Sequence, residues 1–176
     1  MTRLFAAIAV AALAFPAAAG AQRPVSFSGS CDFSGSVTFS PPMTNTPQRV
    51  AQHAFAPGAC TGTFTDGKGR PRVLDNAPVT YVADSAGATV SCLAGTATGA
   101  GRLLFPHGAL PFAFSETRLV ATPLLQLTGR SGGSMDGVAT PSQSQDPVSA
   151  VQDCNGPGLR AFALDAHFRT TPAISG

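Results

Sequence analysis

Side chains able to do chemistry are few in this sequence, and they are scattered. The one glutamate, Glu116, stands two residues before Arg118 in the run Leu110-Pro-Phe112-Ala-Phe114-Ser-Glu116-Thr-Arg118-Leu-Val120. With a period of two, Leu110, Phe112, Phe114, Glu116, Arg118 and Val120 fall on one face of a strand. If that face looks inward, a Glu and an Arg are buried beside phenylalanines and must pair with each other or with neighbours. The pair would then orient a small ligand against Phe112 and Phe114. The less demanding reading turns the face outward near the strand's end and leaves a surface ion pair worth little. The outward reading is the expectation; Glu116, Arg118, Phe112 and Phe114 form the ligand-binding candidate if it fails.

Enzymatic readings find less support. No Gly-x-Ser-x-Gly is present, and the nearest glycine-flanked serine, in Gly132-Gly133-Ser134-Met-Asp-Gly137, lies between two expected strands. A nucleophile elbow needs a strand–turn–helix setting, so this stretch reads as a hairpin. His53, His107 and His167 have no second histidine or carboxylate at metal-ligand helical spacing, and each is expected to be solvated or singly hydrogen-bonded. Glycoside hydrolysis needs two facing carboxylates, but the acids other than Glu116 are aspartates, mostly in turns. Without Trp, and with Tyr81 as the single tyrosine, there is little material for a sugar-stacking platform. Asp66-Gly67-Lys-Gly69 reads as a hairpin tip, since a calcium loop needs a longer carboxylate series. No catalytic residue, metal or cofactor is expected, and the chain reads as a non-enzyme.

The cysteines do architectural work. Four of them, Cys31, Cys60, Cys92 and Cys154, form an even set without a Cys-x-x-Cys pair, which favours two disulfides over a metal site. Of the three connectivities, Cys31–Cys60 with Cys92–Cys154 is preferred, because sequential pairing needs the fewest crossing connections. In the chain-entropy model each bridge contributes about 3–4 kcal/mol. Three of the cysteines lead a similar phrase: Cys31-Asp-Phe-Ser-Gly35-Ser-Val-Thr38, Cys60-Thr-Gly62-Thr-Phe-Thr65 and Cys92-Leu-Ala-Gly95-Thr-Ala-Thr98. Alternating Thr, Ser, Val and Phe favour extended chain, so each cysteine is expected at the head of a strand.

The N-terminus places the chain outside the cytoplasm. Arg3, an apolar run to Phe15 and the small-residue site Ala19-Gly20-Ala21 have the form of a secretory signal peptide over residues 1–21. The run is too short to span a bilayer, which takes roughly 20 residues. Residues 22–176 then form one disulfide-stabilised domain, secreted or held in the periplasm or cell wall. A formal net charge of +2 gives no footprint for nucleic acid or, after signal removal, for a membrane surface. Lys68 is the single lysine among 11 basic residues, which reads as codon bias of a GC-rich bacterial genome.

The elements that must position these residues are strands. Gly 19 and Pro 15 punctuate the chain as in an all-β fold with many turns. After a partly ordered lead-in over 22–30, strands are expected at Phe33–Ser40, ended by Pro41-Pro42, at Val50–Ala56 and at 60–65. A hairpin follows, with its turn at Asp84-Ser-Ala-Gly87. Further strands are expected at Thr96–Phe105, Leu110–Ala121, Leu124–Thr128, Ser134–Thr140 and Leu159–Thr170. The last carries Phe162, Leu164, Ala166 and Phe168 on one face. One short helix is expected near 146–153, with Asp146 as cap and Pro147 at its first position. The result is an all-β, antiparallel domain of about nine or ten short strands, either a β-sandwich or an up-and-down β-barrel. The preferred function is a structural or interaction module. The alternatives are a small-molecule or lipid-binding barrel lined by Phe112, Phe114, Phe162 and Phe168, and a protease-inhibitor-like module. A cavity of several hundred Å³ would favour the ligand-binding barrel.

Overall fold

The computed structural model describes residues 23–119 and 122–176; the signal-peptide expectation and Val120 lie outside them. The strands are β1 (Ser26–Met43), β2 (Gln48–Thr65), β3 (Pro71–Val90), β4 (Ala94–Phe105), β5 (Gly108–Leu119), β6 (Thr122–Gly129), β7 (Ser134–Pro141), β8 (Leu159–Thr170) and β9 (Ile174–Ser175). The helix α1 (Pro147–Asn155) lies between β7 and β8. Each strand from β1 to β8 pairs antiparallel with the next, and β8 returns to β1, closing an eight-stranded up-and-down barrel. β9 adds outside the ring through Phe27↔Ile174. Closure resolves the barrel-or-sandwich alternative in favour of the barrel and leaves no free edge on the main strands.

Several local expectations are corrected. The first three strands are long, at 18, 18 and 20 residues. β1 begins at Ser26 rather than after a loose lead-in, and it runs through Pro41-Pro42. Its ladder with β8 skips between Thr38 and Met43, so the prolines sit where no backbone donor is needed. Asp84–Gly87 is not a hairpin turn. β3 continues through it, with a register shift against β2 between Val50 and Gln52. Gly87, at φ +137°, accommodates the extra residue as a bulge. Cys31 and Cys60 lie within strands and face each other in register, rather than heading them. The expected bridges, Cys31–Cys60 and Cys92–Cys154, are both present.

The two ends of the barrel differ. At the end holding the Phe105–Gly108 and Gly129–Ser134 connections, Phe27, Phe64, Leu110, Leu127, Met135 and Ile174 are fully buried. Phe105 packs there with ring centroids 5.3 Å from Phe27 and 4.6 Å from Phe64. Above this plug, Tyr81 stacks on Phe112 at 5.4 Å and on Phe168 at 5.9 Å. Gly99 and Gly101 of β4 make room for the rings of β5. A β-carbon on Gly99 would come within 2.5 Å of Phe114, and one on Gly101 within 2.6 Å of Phe112. The half of the barrel beyond Tyr81, towards α1, is only partly filled: Phe39, Met43 and Leu159 are buried there beside a cavity.

Candidate functional site

β5 alternates as the sequence predicts, but its marked face looks into the barrel. Phe112, Phe114, Glu116 and Arg118 are all buried, with Glu116 6% and Arg118 9% exposed, which overturns the expected outward surface pair. The large phenylalanines of the same face decide this, since their burial carries every second residue of the strand inward. Arg118 donates from Nε (3.0 Å) and from one terminal nitrogen (2.7 Å) to Glu116 Oε1. Its other terminal nitrogen lies 3.2 Å from Met43 Sδ, and the guanidinium sits 5.4 Å from the centre of the Phe39 ring.

The pair stands beside two adjoining spaces. An inner chamber of about 50 Å³ lies over Tyr81 and is lined also by Gln52, Phe114, Glu116, Arg118 and Leu125. An outer cavity of about 390 Å³ reaches from Arg118 to α1, walled by Val37, Phe39, Met43, Leu159, Phe162 and Leu164. Val37, Arg118, Pro123 and Leu164 line both, so the two spaces adjoin. Burial pushes the Tyr81 phenol well above its ordinary range, and the nearby Glu116 carboxylate adds to the effect.

Helix α1 covers the outer cavity with Ala150, the buried residue of the helix. Its start is set by Asp146, which accepts from the Val148 N–H at 3.0 Å and from the Ser149 hydroxyl. Just before it, the Gln145 side chain accepts from the Ala163 N–H at 2.8 Å. Near its end, Cys154 is bridged to Cys92 in the β3–β4 connection, and Asn155 accepts from the Asn45 side chain at 2.6 Å. The cover is thus tied to three other parts of the rim.

The remaining candidates do not gather. His53 pairs with Asp84 at 2.7 Å and His167 with Asp32 at 2.6 Å, each across neighbouring strands with exposed side chains. His107 occupies the β4–β5 turn, and Ser134 opens β7 after a turn. Asp66 accepts from the Lys68 and Arg70 backbone N–H groups and pairs with the Arg70 guanidinium, as a hairpin tip would. Hydrogen bonding from the Arg70 N–H leads the causes that lower its pKa to about 2. Among the described residues no group of three His, Cys, Asp or Glu could hold a metal, and no helix is long and apolar enough to cross a membrane. Sequence reasoning missed Gln52, Phe39 and Met43 as cavity residues; Gln52 was the legible one, as an inward polar position between Val50 and Ala54 on β2. The fold and site define a closed antiparallel barrel, plugged at one end and covered by a disulfide-held helix over an apolar cavity at the other. Searches of protein-family models, curated proteins and solved structures return no match.

Proposed function

We propose that the protein binds a small, mainly apolar molecule inside the barrel, with the polar part of that molecule directed at the Glu116–Arg118 pair. The observation that carries this reading is the outer cavity of about 390 Å³, which is within the range of small-molecule sites. Interiors normally pack to crystal density, and the plugged end shows that this chain can do so. A disulfide-held cover over unfilled space suits a site that admits and then shelters a ligand. The two disulfides fit an oxidising compartment. Residues 1–21 would supply export to the periplasm, cell wall or medium, with the mature chain starting at Gln22.

A neutral naphthylamine dye that brightens in apolar surroundings tests the reading. It should bind saturably, one per chain. Ala150→Phe, which puts a ring into the outer cavity, should weaken binding by about ten-fold, equivalent to about 1.4 kcal/mol. Unsaturable binding, or equal binding by the variant, would overturn it. The structural or interaction-module reading rests on exposed Leu93, Leu119, Val148 and Val151 at the α1 end. It gains if the dye fails and the protein self-associates through these residues.

A further inference from the structure

The inner chamber holds a polar group that no part of the described chain satisfies. Gln52, on β2, is 7% exposed, and its Nε2 is buried without a hydrogen-bond partner. In the same chamber, both hydrogen bonds from Arg118 to Glu116 fall on Oε1. Glu116 Oε2 has no donor among the described residues. Leaving the Gln52 amide unpaired costs the fold, because burial removes its water. The chamber of about 50 Å³ has several times the space that one water needs, and it shares Val37, Arg118, Pro123 and Leu164 with the wall of the mainly apolar outer cavity.

Charge narrows what belongs there. The Arg118 cation is already matched by Glu116, so an anionic head would add an unbalanced buried charge and meet the free oxygen of a carboxylate. A cationic head could meet Glu116 but could accept nothing from Gln52. An ether accepts but has nothing to donate. A hydroxyl both donates and accepts, and it is small enough for the chamber.

We propose that the inner chamber is a head-group subsite for an uncharged hydroxyl, donated to Glu116 Oε2 and accepting from Gln52 Nε2, so that the barrel selects an aliphatic alcohol. This rests on the reading that the outer cavity takes the apolar body of a ligand. Ordered water filling the chamber is the competing occupant, and it would make alcohol and ether equivalent.

The test is displacement of the naphthylamine dye from the intact protein by four probes built on a ten-carbon chain: decanol, its methyl ether, decanoate and decylammonium. The expected order places decanol ahead of the other three by about ten-fold or more, because a site built to hydrogen-bond a hydroxyl rejects analogues lacking it. Gln52→Leu should bring decanol down to the level of the ether while dye binding persists. If the dye binds but the ether equals the alcohol, or an ion binds tightest, or Gln52→Leu leaves the order unchanged, the head-group assignment is wrong and the cavity reading stands. If neither the dye nor any probe binds, both fall. Should Gln52→Leu fail to fold, the probe order on the unaltered protein still decides.

Discussion

Arg118 has its charge balanced inside the barrel by Glu116 and its flat face covered by Phe39. Removing one member of a buried pair leaves the other charge without a partner, whereas removing both leaves only shape to fill. Arg118→Leu alone should therefore destabilise the protein by about 3–5 kcal/mol. The double variant Glu116→Leu with Arg118→Leu should come close to the starting stability. Denaturant unfolding of the three variants that complete the cycle checks both values. Tyr81 gives a second prediction at this scale. Its folded-state pKa lies above its unfolded value of 10.0, so its contribution to stability is complete below about pH 10 and is lost as pH rises further. As the sole tyrosine, it makes the absorbance of tyrosinate a clean reporter. Tyrosinate should appear only together with unfolding, and ionisation near pH 10 in the folded state, followed by near-UV circular dichroism, would contradict the burial assigned to it.

At the scale of elements, α1 and the Cys92–Cys154 bridge act as one cover. Cys92→Ser with Cys154→Ser should leave the barrel closed, since Cys31–Cys60 joins neighbouring strands and is independent of the rim. Hydrogen exchange over 147–155 should accelerate, while β4 and β5 keep their protection. Equal acceleration throughout would mean that the bridge holds the barrel rather than the cover. Much of this level was legible in the sequence. The period-two run of β5, the Asp146-Pro147 start of α1 and the bounds of β8 all follow from local chemistry. The bulge at Gly87 was not, because Asp-Ser-Ala-Gly has the composition of a turn whether or not the chain reverses. Passage of β1 through Pro41-Pro42 was hidden for a similar reason: the sequence does not say which backbone groups have partners. The side on which Glu116 lies is not legible either. Periodicity groups residues on a face without saying which way the face looks, and here burial of the phenylalanines outweighs the cost of burying the charges.

At the scale of the molecule, barrel closure depends on β1 meeting both β2 and β8, and the β8 contact joins residues far apart in the sequence. No local pattern encodes that contact, which is why the sequence is compatible with barrel and sandwich alike. Closure also creates the internal space, and the uneven filling of the two ends turns that space into a cavity with a polar floor. The most direct test of its use is the emission of Tyr81, which borders the inner chamber in a chain without tryptophan. Decanol titrated into the protein should change that emission saturably, with one molecule bound per chain. Ala150→Phe should shift the same curve to about ten-fold higher concentration. No change, or an unsaturable drift identical in both proteins, would contradict the account of this barrel as a binding site.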